Sequence, residues 1–203
     1  MNSLYCAESM SKTRLEAFSD GVIAILITIM VLELKVPHGS DLHALRPMLP
    51  VFLAYVLSFV YLGIYWNNHH HMLHAAEKVD GRILWANLHL LFWLSLIPVG
   101  TEWVGEHPFA PLPAAAYGVV FFFAAIAYTI LQAAIVRREG PGSLLASAVG
   151  KDRKGKISML LYLVAIGAAW ILPLLSYALY VLVALIWLVP DPRIEKKLEH
   201  EGK

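Results

Sequence analysis

Two groups of polar residues interrupt a sequence that is otherwise greasy. The first is Arg14, Ser19 and Asp20, in a stretch that runs without a break into the apolar segment Val22 to Leu34. The second is Trp66-Asn67-Asn68-His69-His70-His71, followed by His74, with Asn87 and His89 in the next apolar run. A charged group inside a membrane span costs roughly 2.5–3.5 kcal/mol on insertion scales, so it is retained where partners and a function hold it. Three chemistries fit these residue types. Histidine titrates near neutral pH, and an acid–histidine layer inside a membrane can carry protons. His70 and His74 stand at i, i+4, which lets two imidazoles reach one metal ion, and Asp80 or His71 would add a third ligand. The third is a neutral hydrogen-bonding cluster at the membrane interface.

The elements that must position these groups follow from composition. Apolar residues are 59% of the 203 and charged residues 15%, with mean hydropathy +0.63, against roughly 25% charged residues in an ordinary soluble domain. The surrounding solvent is therefore lipid, and the fold class expected is an all-α, multi-pass integral membrane protein. A formal net charge of +1 points to no nucleic-acid partner. Cys6 is the only cysteine, which excludes a disulfide within the chain. Residues 1–34 have the basic start and apolar core of a signal peptide. No small-x-small cleavage site follows, and Glu33 and Lys35 close the segment, so an uncleaved first span is expected.

About 20 apolar residues cross a ~30 Å hydrocarbon core. Such runs lie at about 15–36, 50–71, 83–104, 113–136, 157–174 and 176–190, with Pro37, Pro47, Pro50, Pro108, Pro111, Pro113 and Pro190 near their ends. Residues 157–190 are too many for one upright helix, and Pro173 and Ser176 supply a tight turn between two. Loop charge decides the count. With six spans and both termini inside, the cytoplasmic segments hold all the Lys and Arg except Lys35 and Arg46. A five-span chain would strand the basic tail outside. One domain, residues 1–203, is expected, with the basic linker 137–156 as its only sizeable loop.

Depth then brings the polar groups together. Asp20 lies roughly 9 Å to the cytoplasmic side of the centre of span 1. The polar end of span 2 and the start of span 3, with Asn87 and His89, reach the same level. In a dry layer such groups must satisfy one another, which predicts a hydrogen-bonded network joining Ser19 and Asp20 to spans 2 and 3. At 100° per residue, Ile25, Ile29 and Leu32 form a stripe about 60° wide, with Thr28 beside it and Asp20 about 140° away. Arg14 projects toward the stripe and cannot pair with Asp20 on the same helix.

The pattern Arg14-x-x-x-Phe18-Ser19-Asp20 resembles the signature of the transmembrane protein 175 family, the lysosomal potassium channels and their prokaryotic relatives. Thr28, Pro37, Trp66-Asn67-Asn68-His69 and Pro98 agree with it, most strongly over spans 1–3. The resemblance implies a potassium-selective cation channel, a homotetramer in the bilayer whose pore is lined by the first helix of each subunit. It also implies a constriction at Ile25, Ile29 and Leu32, and an assembly network of Arg14, Phe18, Ser19, Asp20, Trp66, His69, His70 and Asn87. Ala24 departs from the family, which usually carries a small polar residue there, and His71 extends its histidine pair. A prokaryotic plasma membrane is the location implied, with potassium as permeant ion and no cofactor.

The sequence lacks a Thr-Val-Gly-Tyr-Gly filter and an arginine-repeat voltage sensor. Rings of Ile25, Ile29 and Leu32 would instead gate by dewetting and by the cost of stripping ions of water. Four Arg14 side chains near such a pore would repel cations, which predicts neutralisation by Glu16 or Asp20 of an adjacent subunit. The rival reading is a proton-coupled transporter or proton-permeable channel using the His/Asp layer. The internal repeats and broken midplane helices usual in transporters are not evident in the sequence. No enzyme motif appears, and Ser143 lies in the basic loop.

Overall fold

The structure, a computed structural model, describes residues 12–37, 39–149 and 152–188. The predicted end of the last span at 190, Lys151 and the basic tail beyond it lie outside the described residues. The rest is helical: α1 Lys12–Met30, α2 Leu49–His74, α3 Gly81–Ser95, α4 Ile97–Glu106, α5 Pro111–Glu139, α6 Leu144–Val149, α7 Arg153–Ala168 and α8 Pro173–Leu188.

Helix ends follow from local chemistry. Asp80 caps α3 by accepting from the backbone N–H groups of Arg82 (2.9 Å) and Ile83 (3.0 Å), so this span starts earlier than hydropathy alone suggests. The α-helical part of span 1 stops at Met30, and Val31–Glu33 tightens into a 3-10 turn, rather than running on to residue 36. A second 3-10 turn, Leu42–Met48, leads into α2; Asp41 caps it on Ala44 N at 3.0 Å. α5 ends at Gly140, whose φ of +93° lies in the region that favours glycine.

Three expectations are corrected. Span 3 is not one helix: it breaks at Leu96, because Pro98 lacks the N–H that would continue the ladder of α3 into α4. Pro173 does not close the fifth helix. It opens the sixth, where its missing N–H is harmless, and the turn lies at residues 169–172. The basic linker is not only loop, since it contains α6, with Leu145 buried.

Among the described residues, four stretches are long and apolar enough to cross a membrane: Lys12–Glu33, Leu42–His74, Gly81–Glu106 and Pro111–Glu139. α8 is apolar but has 16 residues, as has α7, so each is roughly 24 Å long at 1.5 Å per residue.

α5 is the central helix and packs against α3, α4, α7 and α8. Its buried side reads Tyr117, Phe121, Ala124, Ala127, Leu131 and Ile135, the small residues admitting neighbours closely. Phe121 stacks on Tyr61 of α2 at 3.9 Å between ring centres and touches Tyr162 and Tyr180 of the last two helices. Gly118 is required here, because a Cβ would collide with the Tyr180 hydroxyl. α1 lies at the edge, held among the described residues chiefly by α2, α3 and α4.

Candidate functional site

α1 has two unlike faces. Leu15, Ser19, Ile23, Leu26 and Met30 recur every three or four residues and are buried against the bundle. Among the described residues nothing covers the opposite face: Phe18 is 53% exposed, Ile25 59%, Ile29 39% and Leu32 78%. Thr28 is on this face and donates its hydroxyl to the Ile25 carbonyl at 2.9 Å, leaving oxygen lone pairs outward. Leu32 sits on the 3-10 turn, where the 100° spacing of an α-helix no longer applies, yet it is the most exposed of the three.

The buried face is fixed by a directed chain of hydrogen bonds. Ser19 donates to the Leu15 carbonyl at 2.8 Å, so its lone pairs must accept. Asn87 Nδ2 donates to Ser19 Oγ at 2.9 Å, which turns Asn87 Oδ1 toward His69 Nε2 at 2.7 Å. The chain ends on a carbonyl, which can only accept, so every direction is set and His69 carries a proton on Nε2. Ser19, His69 and Asn87 are each 1% exposed or less. A separate bond runs from Trp66 Nε1 to Asp20 Oδ1 at 3.0 Å. Three helices therefore meet in one polar layer through Ser19, Asp20, Trp66, His69 and Asn87.

The remaining predicted residues go elsewhere. Within one chain the signature residues point in different directions: Arg14 and Phe18 fall on the exposed face with Ile25, Ser19 points inward, and Asp20 reaches Trp66. Within the chain Glu16 lies 3.9 Å from Lys12 and Asp20 accepts from Trp66. His70 is not in the network. It is one residue, about 100°, round the helix from His69, and its ring stacks between Trp66 and His74 at 6.1 and 6.2 Å. His89 is also outside it, accepting from Trp93 Nε1 at 3.0 Å on its own helix. Asp80 is occupied as a cap, and among the described residues no three His, Cys, Asp or Glu gather to hold a metal ion.

A second polar layer is absent from the sequence expectations. Thr101 Oγ1 donates to the Ile97 carbonyl at 2.7 Å, which makes Ser58 the donor to Thr101 (2.6 Å) and Tyr117 the donor to Ser58. Met30 Sδ lies 3.8 Å from Thr101, so this layer touches the C-terminal end of α1. Its signal was present: Ser58 stands eleven residues before His69, three turns away and about 20° off in angle, hence on the same buried stripe of α2.

The sequence profile of the family described as "Endosomal/lysosomal potassium channel TMEM175" matches residues 14–98, the segment holding both polar groups and the exposed helix. A potassium channel of Chryseobacterium sp. (strain P1-3) is 57% identical over 190 residues, covering 94% of this chain and 99% of its own. The chain belongs to the TMEM175 family. The endosomal/lysosomal proton channel TMEM175 of Gallus gallus is 35% identical over 116 residues, 51% of this chain and 23% of its own length. Among solved structures, the crystal structure of a lysosomal potassium-selective channel TMEM175 homolog from Chamaesiphon minutus superposes with a TM-score of 0.76. It is 29% identical, and the match covers 89% of this chain and 97% of that one. The all-helical bundle with its four long apolar stretches is thus consistent with the fold of a TMEM175 channel.

Proposed function

We propose that this protein is a potassium-selective cation channel of a bacterial plasma membrane, in which four copies assemble around the exposed face of α1. On this reading Ile25, Ile29 and Leu32 form stacked apolar rings at the constriction, with Thr28 presenting oxygen between them. Each subunit crosses the membrane six times with both termini inside, α7 and α8 together forming a short hairpin. The observation that supports this best is the asymmetry of α1. A membrane helix whose inner side is bolted to two neighbours by hydrogen bonds, the one to α3 buried, while Phe18, Ile25, Ile29 and Leu32 stay uncovered, is built to hold a fixed face toward something outside its own chain. The similarity to a protein named a potassium channel over nearly its whole length supplies the ion.

A narrow apolar ring selects by dehydration: potassium gives up its water more readily than sodium, so a ring that itself offers no ligand still favours it. The polar layer of Ser19, Asn87, His69, Asp20 and Trp66 keeps the rings in register and does not touch the ion. Planar-bilayer recordings of the purified protein test this. The Ile25→Asn variant is expected to lose most of its preference for potassium over sodium, and an unchanged reversal potential overturns the role of that ring.

Proton permeation is a second reading, favoured by the relatives named proton channels, which match about half of the chain or less. The His69–Asn87–Ser19 chain ends on a carbonyl, so protons would follow the α1 face rather than that network. Current driven by a pH gradient in potassium-free solution supports it, and its absence removes it.

A further inference from the structure

We propose that His70 and His74, one turn apart on the exposed face at the C-terminal end of α2, bind a divalent transition-metal ion whose coordination is completed by water.

The polar layer that fixes α1 leaves both rings unused. His69 faces inward and commits its Nε2 to Asn87, whereas His70 and His74 are exposed. Their rings lie 6.2 Å apart and within 20° of parallel. A spacing of four residues puts two imidazoles on one helix face, about 40° apart, so that both can offer a nitrogen to one metal ion. With metal–nitrogen bonds of about 2.0–2.1 Å, two rings on one ion have their centres roughly 5–6 Å apart. Reaching that geometry takes a turn of two surface side chains, with His70 leaving its stack on Trp66 at 6.1 Å. His71 does not share the arrangement. Its ring is 5.7 Å from that of His70 but turned by 65°, and it is half-buried.

The surroundings suit a cation. α2 ends at His74, so the pair stands where the helix dipole presents negative charge. Among the described residues neither ring pairs with a carboxylate that would compete for its nitrogens. Lys12 opposes the ion, since its Nζ donates to the His74 carbonyl at 2.8 Å, but it also lies 3.9 Å from Glu16, which offsets part of its charge. Among the described residues no third His, Cys, Asp or Glu joins the pair to make a closed metal site. Two nitrogens and open positions for water make a site of moderate affinity. Imidazole selects nickel, copper or zinc over magnesium and calcium, which prefer oxygen ligands.

Calorimetric titration of the full chain with nickel chloride tests this, the protein being purified in detergent without a histidine tag and held above neutral pH, where imidazole is unprotonated. Wild type is expected to bind nickel, and magnesium at the same concentration is expected to give no binding heat. His70→Gln and His74→Gln are each expected to weaken nickel binding at least about tenfold, whereas His71→Gln leaves it unchanged. A second measurement needs no variant: diethyl pyrocarbonate labelling of wild type, read by peptide mass spectrometry. Nickel is expected to protect His70 and His74 while His71 continues to react. Absence of binding by wild type, undiminished binding by the His70→Gln/His74→Gln chain, or a loss on His71→Gln as large as on His70→Gln overturns the proposal. So does labelling of His70 and His74 that nickel does not slow. The site lies within one subunit, so these outcomes are independent of how the chain assembles and of which ion it conducts.

Discussion

Asn87 Oδ1 meets His69 Nε2 at 2.7 Å in a layer from which solvent is excluded, and the same amide donates to Ser19 at 2.9 Å. One side chain on α3 thus satisfies a donor on α2 and an acceptor on α1. Replacing Asn87 with Leu leaves the His69 N–H without a partner, at a cost of about 1–3 kcal/mol. The expected outcome is a lower melting temperature and a smaller fraction of the proposed tetramer on size exclusion. A variant indistinguishable from wild type in both would show that this layer does not hold α1.

The hydroxyl chain from Tyr117 through Ser58 and Thr101 to the Ile97 carbonyl makes a prediction about order. Tyr117→Phe removes the donor at its head, leaving only a hydroxyl lone pair without a partner. Ser58→Ala cuts the middle and strands the buried Tyr117 O–H, so it is expected to cost about 1–3 kcal/mol against about 1 kcal/mol or less for Tyr117→Phe. Thermal melts of both variants check this, and the reverse order would mean that the chain runs the other way.

Gly118 and Tyr180 are predicted to be coupled. Gly118→Ala places a methyl group against the Tyr180 hydroxyl and Ile166, and an overpacked site of this kind costs about 1–3 kcal/mol. Tyr180→Phe alone loses a 3.0 Å bond to the Ala114 carbonyl. The double variant should lie closer to wild type than the sum of the singles, because each change removes part of the other's cost. Strict additivity of the two melting shifts would contradict the close approach.

The two faces of α1 should differ in access to water. In a Cys6→Ser background, a cysteine at Ile25 or Ile29 is expected to react with a membrane-impermeant thiol reagent and reduce current by more than half. A cysteine at Ile23, which is 1% exposed, should do neither. Modification of position 23 but not 25 would put the conducting path elsewhere.

Hydropathy and charge are properties of the chain in one dimension, and what depends on them was legible without coordinates. The membrane class, the approximate positions of the long spans and the shared depth of Ser19, Asp20, Trp66, His69 and Asn87 follow from counting residues at 1.5 Å each. The shared face of Ile25 and Ile29 was legible in angle as well, since it concerns a single helix, whereas Leu32 lies on the 3-10 turn that follows. What meets what at one depth was not. His69, His70 and His89 are the same residue type near the same level, yet His69 enters the network, His70 stacks on Trp66 and His89 turns to Trp93. The difference is the angle of each helix relative to its neighbours, which only packing sets. The Ser58–Thr101–Tyr117 chain belongs to the same class, because it depends on elements distant in sequence coming into contact. The sequence by itself determined how deep each polar group sits, and the tertiary structure decided which partner it finds there, because depth is additive along one helix whereas azimuth is a relation between several.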